Sequence, residues 1–302
     1  MRNIMSAFVF ILITVVAKAQ TRYVDNIFKD IKLRTFNYAI KKTDTLKLDI
    51  YDAVDDTLSK KPLMVLVHGG GFYSGQRNDS YMISLAETIA KKGYVVASID
   101  YRLIHDHNDL TCHTPHTAVF EIYKNSAKDV LDALLFLTDY KTDFRIDDSK
   151  IVLTGSSAGA ETILNIAYNR DLITNSKRHK SIKIAGVVSI SGALFDTKDI
   201  AFHNSVPGVF YHGEEDPVVP YDKGAHHSCD TLSNGFFILE GSKKIAEKLE
   251  YLDTSFMLYS YKYRGHDIFN LPNEDYHESF VFIKKVVFDN HFYQSSIKKP
   301  LR

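Results

Sequence analysis

The chain has 302 residues, of which 45% are hydrophobic and 25% charged, with 37 basic and 37 acidic side chains. That composition excludes a disordered or collagen-like chain, and the zero net charge offers no electrostatic footprint for nucleic acid or an anionic membrane. The length suits one large α/β domain or two small ones, and a domain of that size can hold a core that needs no staples.

The first segment differs from the rest. Arg2 is followed by an almost unbroken apolar run, Met5 to Ala17, and then by Ala17-Lys18-Ala19. A positive start, a short apolar stretch and a small-x-small site read as a secretory signal spanning residues 1–19, cleaved after Ala19. The run is too short to span a bilayer, so no stable membrane insertion is expected after cleavage. An uncleaved anchor or a buried first helix is the alternative. Cleavage leaves 35 basic and 37 acidic residues, and residues 20–302 are read as one domain, secreted or periplasmic. Cys112 and Cys229 both lie in the exported part, where an oxidising compartment would let them pair; two free buried thiols are the other possibility.

Arg34–Ile40 and Thr45–Tyr51 alternate polar and apolar residues, as a half-exposed hairpin does. Leu63–His68 is a continuous apolar run ending in glycines, the pattern of a strand buried on both faces. Met82, Ile83, Leu85, Ala86, Ile89 and Ala90 recur at helical spacing, with Asn78 or Asp79 as cap and Gly93 as stop. Tyr94–Ile99 is the next buried strand and Ala127–Leu137 an amphipathic helix. Lys150–Thr154 runs straight into Gly155-Ser156-Ser157-Ala158-Gly159, followed by a helical pattern. Ile184–Ile190, Val206–Tyr211 and Ser255–Tyr261 read as strands, and Asp275 to Asn290 as a last helix. Strands alternating with helices predict an α/β fold, with a mostly parallel sheet of about eight strands covered on both faces.

Chemistry concentrates first in two turns. A G-x-S-x-G between an apolar strand and a helix puts Ser157 on a sharp elbow, with small neighbours and the positive helix end beside it; Ser156 is a competitor off the central position. His68-Gly69-Gly70-Gly71-Phe72 offers bare backbone to a substrate, so the N–H groups of Gly70, Gly71 and Ala158 are candidates for an oxyanion hole. No G-K-[ST] follows and no dinucleotide spacing is present, so neither a phosphate cradle nor a cofactor is expected.

These motifs resemble the carboxylesterase and hormone-sensitive-lipase-like branch of the α/β-hydrolase superfamily. The H-G-G-G-F loop lies about 85 residues before the G-x-S-x-G elbow, and Asp100-Tyr101-Arg102-Leu103 is also similar to that branch. The resemblance covers roughly residues 45 to 290. It implies the chain order nucleophile, acid, histidine. The loop His212-Gly213-Glu214-Glu215-Asp216-Pro217-Val218-Val219-Pro220 then maps the acid to Asp216, with Glu215 and Asp222 as neighbouring alternatives. That acid loop is similar to those of feruloyl-esterase-like and peptidase-like relatives. Tyr263-Arg264-Gly265-His266 follows the next strand and makes His266 the base; His226, His227 and His277 lack that context.

The expected activity is a serine carboxylic-ester hydrolase working through an acyl-enzyme. Its substrate would be a small-molecule or polysaccharide-linked ester carrying a short or aromatic acyl group, such as acetyl or feruloyl. A prolyl-oligopeptidase-type peptidase and a non-catalytic binding protein are the rival readings. Phe72, Tyr73 and Tyr221 are expected to flank the pocket, with the polar segment Ile104–Thr117 as a wall. Histidines 105, 107 and 113 in that wall match no standard metal site, so no metal is expected.

Overall fold

The computed structural model describes residues 21–42, 44–104 and 110–299. The segment read as an export signal lies outside them, as do His105 and His107. Nine strands form the main sheet. In chain order they are β1 (Ile31–Lys41), β2 (Asp44–Ala53), β3 (Lys61–Val67), β4 (Val95–Ile99), β5 (Ile146–Ser156), β6 (Gly186–Ile190), β8 (Gly208–Gly213), β11 (Phe256–Tyr261) and β12 (Gln294–Lys299). Their spatial order is β1-β2-β4-β3-β5-β6-β8-β11-β12. The β1–β2 and β2–β4 pairs are antiparallel, and every pair from β4 to β12 is parallel.

Period-two alternation divides the core between the two faces. Leu63, Val65 and Val67 of β3 face one apolar layer with Ile151 and Leu153 of β5, under α2 (His116–Asp139), α3 (Ala158–Tyr168) and α6 (Ser242–Tyr251). Met64, Leu66 and Val152 face the opposite layer, under α1 (Ser80–Ala90) and α7 (His277–Phe282). Burial on both faces is why these strands read as unbroken apolar runs. The Asp79 carboxylate caps α1 by accepting the Met82 N–H. Two short helices, α4 (Arg170–Ile173) and α5 (Lys177–Ser181), follow α3.

The expectation of eight strands misses β12. Its sequence, Gln-Ser-Ser-Ile-Lys-Lys, is polar because it is an edge strand with only Ile297 packed inward. A second, three-stranded sheet was also unforeseen: β10 (Ile238–Gly241) lies between β7 (Ala193–Leu194) and β9 (Lys223–Ala225). Helix α2 begins at His116, eleven residues before the predicted start. The last predicted helix breaks into a 3-10 turn at Asn273–Tyr276, α7, and a π-turn at Ile283–Phe288.

Register places the functional loops. Val67 pairs with Gly155, Ser156 with Ile190, Ile190 with Tyr211, and Gly213 with Tyr261. The carboxyl ends of β3, β5, β8 and β11 therefore finish level, and the loops they release stand side by side. Ligands of open α/β sheets bind at that edge.

Candidate active site

Strand β5 ends at Ser156 and α3 starts at Ala158, which leaves Ser157 alone to reverse the chain. Its backbone sits at φ +51°, ψ −125°, a conformation that costs a non-glycine residue about 1–3 kcal/mol. The Ser157 N–H donates to Ile190 O at 2.8 Å, and the Ser157 carbonyl accepts the Glu161 N–H at 2.9 Å. Gly159 makes the elbow possible, because a Cβ there would lie 2.2 Å from the Val67 carbonyl oxygen. The first helical residue, Ala158, has no carbonyl within its own helix to bond, so its N–H points out of the helix end beside Ser157.

His266 follows β11, in the loop next to the one that carries Asp216. The Ser157 Oγ lies 2.7 Å from His266 Nε2, and His266 Nδ1 lies 2.7 Å from Asp216 Oδ2. The structure thus brings these three side chains into one hydrogen-bonded line. Ser156, the competitor, has no part in it. Of the alternative acids, Glu215 is exposed and Asp222 pairs with Lys243.

The Asp216 side chain is fully buried. Its Oδ1 accepts the Val218 and Val219 N–H groups, both at 2.9 Å. Burial works against its charged form, but hydrogen bonds and charge from His212 and His266 outweigh that and hold the carboxyl well below the usual range. His212 is held in turn: Nε2 is 3.4 Å from Asp216 Oδ2 and 3.1 Å from Val219 O, and Nδ1 is 2.8 Å from Ser242 Oγ. Ser242 opens α6, a helix absent from the sequence reading although Ile245, Ala246 and Leu249 carry its apolar face. The small sheet backs this loop, since Gly241 N–H donates to Asp222 O at 2.7 Å.

The loop after β3 folds over the elbow. Gly70 and Gly71 both have positive φ, +109° and +61°. Gly70 could carry no side chain, because a Cβ would meet Ser74 O at 2.2 Å. At Gly69 a Cβ would lie 3.4 Å from Ser157 Cβ, so the loop backbone runs against Ser157. His68 organises the loop: its Nδ1 is 2.7 Å from Gly69 O, its ring stacks on Tyr101, and the Tyr101 hydroxyl donates to His68 O at 3.0 Å. Burial keeps this imidazole below its ordinary value and hence neutral.

Two of the three expected pocket aromatics lie elsewhere. Phe72 is 1% exposed and packs on Tyr123, with ring centroids 4.7 Å apart, because the positive φ at Phe72 (+64°) turns its ring into the core. Tyr221 bonds Ser260 through its hydroxyl and sets its ring edge against His212, behind the acid loop. Tyr73 is 48% exposed and lays its ring against Gly71 at the mouth. Sequence reading passed over Phe269, whose ring stacks on His266 at 5.8 Å, and His227, which lies close enough to His266 and Asp216 for its imidazole to sense their charges. Cys112 and Cys229 form a disulfide, with Cα atoms 5.4 Å apart. It ties the wall segment before α2 to the loop that carries His227. Among the described residues no group of three or more His, Cys, Asp or Glu side chains could hold a metal ion.

The BD-FAE family model matches residues 48–201, about half of the chain, from β2 through the elbow to the segment before β8. A non-reducing polyketide synthase of Penicillium brevicompactum is 27% identical over 146 residues, 46% of this chain and 6% of that protein. Liver carboxylesterase 1F of Rattus norvegicus is 27% identical over 169 residues, 52% of this chain and 26% of that protein. The chain therefore spans only a small part of the length of these relatives. Among solved structures, a thermophilic esterase of the planctomycete Thermogutta terrifontis superimposes with a TM-score of 0.64 at 19% identity, covering 84% of this chain and 92% of that one. The paraoxon-phosphorylated form of esterase 2 from the same organism gives 0.63 at 19%, covering 87% and 96%. At such identity the likeness is one of fold, and it matches the level, mostly parallel sheet described above. An α/β-hydrolase fold, with a family match running through both the glycine loop and the serine elbow, makes this chain a member of the BD-FAE family.

Proposed function

We propose that the protein is an exported serine carboxylic-ester hydrolase that works through an acyl-enzyme. The reading rests on one observation: the hydrogen-bonded line Ser157–His266–Asp216, set on a strained elbow at a helix N-terminus. In the reaction, His266 Nε2 takes the Ser157 proton as Oγ attacks the acyl carbonyl. The tetrahedral oxyanion is held by the N–H groups of Gly70, Gly71 and Ala158, each fixed before substrate arrives. His266 then gives its proton to the leaving alcohol, and the acyl-serine remains. Water, deprotonated by the same imidazole, attacks the acyl carbonyl and releases the acid. Asp216 stays ionised throughout, fixes the ring with its proton on Nδ1, and stabilises the imidazolium that forms.

Short or aromatic acyl groups, acetyl or feruloyl on a polysaccharide among them, suit this site. Tyr73 and Phe269 offer aromatic surface at its mouth, and the BD-FAE match is consistent with such esters. The Cys112–Cys229 bridge supports export, because disulfides persist in oxidising compartments. The direct test is hydrolysis of p-nitrophenyl acetate by the protein and by Ser157→Ala, with fluorophosphonate labelling in parallel. Undiminished turnover by Ser157→Ala would reject the assigned nucleophile, and a wild-type protein that is folded but neither labels nor turns over would reject the hydrolase reading.

A further inference from the structure

Behind the nucleophile lies a second polar cluster that the reaction above does not use. Glu161, one turn into α3, is 1% exposed, and Tyr123 and His226 are almost as deeply buried. The Tyr123 hydroxyl is 2.8 Å from Glu161 Oε1 and 3.1 Å from His226 Nε2, and His226 Nε2 is 3.7 Å from the same carboxyl oxygen. An acid, a phenol and an imidazole meeting at one oxygen can be satisfied without any charge. The Tyr123 hydroxyl donates to Glu161 Oε1, and a neutral His226 carrying its proton on Nε2 can donate to the Tyr123 oxygen in turn.

The cluster reaches the elbow, the glycine loop and His227. Glu161 donates its backbone N–H to the Ser157 carbonyl. Tyr123 packs on Phe72 of the glycine loop. The His226 ring stacks on His227 with centroids 4.0 Å apart, and the His227 N–H is held by Val218 O of the acid loop at 2.8 Å. Three residues beyond His226, Cys229 is bridged to Cys112.

We infer that Tyr123, Glu161 and His226 are positioning residues for the hydrolysis: their hydrogen bonds tie α2 and the His226 turn to the helix behind Ser157, and ring contacts carry that frame to the glycine loop and His227. The inference rests on the serine-hydrolase reading proposed above. Burial pushes the Glu161 carboxyl up to about 8, against the Tyr123 hydrogen bond that favours its charged form, and the Asp216 charge adds to the rise. Burial holds His226 well below the ordinary imidazole value, aided by like charge from His227 and His266. The titratable groups facing Glu161 are Tyr123 from α2, Tyr101 from the segment after β4, His226, and Asp216 across the elbow. No cation among them would neutralise a carboxylate at neutral pH. Ionisation of Glu161 therefore puts an uncompensated negative charge one helical turn from the place where the oxyanion forms, and opposes it.

The test is the pH profile of kcat for p-nitrophenyl acetate from about pH 6 to 10, read at an isosbestic wavelength, for wild type, Glu161→Gln and Tyr123→Phe. Wild-type kcat is expected to fall on the order of tenfold above about pH 8, the size of a buried charge acting across one turn. Glu161→Gln, which cannot ionise, is expected to lose that alkaline fall. Tyr123→Phe removes the bond that favours the carboxylate and should move the fall to higher pH. If Glu161→Gln does not fold, the Tyr123→Phe shift decides. A flat wild-type profile, an unchanged fall in Glu161→Gln, or an unmoved one in Tyr123→Phe overturns the inference. The infrared carbonyl stretch of a protonated carboxyl, present in wild type at neutral pH and missing from Glu161→Gln, reads the same cluster without turnover; its absence from wild type also overturns it. Failure of the wild type to take a fluorophosphonate at Ser157 would instead sink the hydrolase reading.

Discussion

Asp216→Asn separates the two duties of one carboxylate. Oδ1 accepts two backbone N–H groups, from Val218 and Val219, while Oδ2 accepts the Nδ1–H of His266. An amide has one acceptor oxygen, and its other end donates. Two fixed backbone donors will hold the amide oxygen in the Oδ1 place, which turns the NH2 toward His266. Nδ1 must then accept, so the ring proton moves to Nε2 and confronts the Ser157 hydroxyl. Ser157 is left without a base, and the imidazolium without a counter-charge. The combined loss is expected to be roughly a thousandfold to ten-thousandfold in kcat, or about 4–5 kcal/mol of barrier. KM should change little, because no substrate contact is removed. Steady-state release of p-nitrophenol, with the rate of fluorophosphonate labelling beside it, measures both effects. Retention of more than about a tenth of wild-type kcat would refute the argument. A larger loss in Glu215→Gln or Asp222→Asn would move the acid role to that residue.

Three further outcomes are expected. Replacing both Cys112 and Cys229 by serine releases a loop closed over 117 residues; chain entropy sets an upper value of about 5 kcal/mol, and a loss of about 2–4 kcal/mol should appear in urea unfolding. A loss below about 1 kcal/mol would mean the bridge constrains little. Gly159→Ala forces a methyl against the Val67 and His68 carbonyl oxygens, 2.2 and 2.6 Å away, so it should cost about 1–3 kcal/mol and nearly all activity; a thermal melt like that of wild type would contradict the packing described. Glu161 has a pH signature in stability as well. Its folded carboxyl is raised from 4.5 to about 8, so wild-type stability is greatest below the unfolded value and declines as pH rises toward the folded one. The stability of Glu161→Gln relative to wild type should therefore grow by on the order of 3 kcal/mol between about pH 4 and 7. A pH-independent difference in urea midpoints would show that Glu161 is ionised in the fold.

Legibility in the sequence followed burial and local chain geometry. Strands β3, β4, β5, β6, β8 and β11 were readable because each is an apolar run sealed on both faces. The polar edge strand β12 and the two- to four-residue strands β7, β9 and β10 carry too little periodicity to stand out. Ser157 could be nominated from a sharp turn between an apolar strand and a helix, whereas Asp216 and His266 followed from the resemblance, which expects an acid and a histidine in turns after later strands. Tyr123, Glu161, His226, His212 and Ser242 could not, because only the packing of remote elements makes them neighbours. Tyr123 also fell before the predicted start of α2. Phe72 and Tyr221 failed as pocket residues for a related reason: backbone direction within a loop, which residue type does not encode, decides which way a ring points.

The level ending of adjacent parallel strands bears on how such a protein can diversify. Ser157, Asp216 and His266 stand on short, tightly bonded turns, whereas the mostly exposed stretch 230–234, between the disulfide and β10, carries little of the core. Insertions or exchanges within that stretch can reshape the surface beside the disulfide without disturbing a core residue. New surfaces there are thus within reach of ordinary loop variation, while the scaffold beneath stays constant.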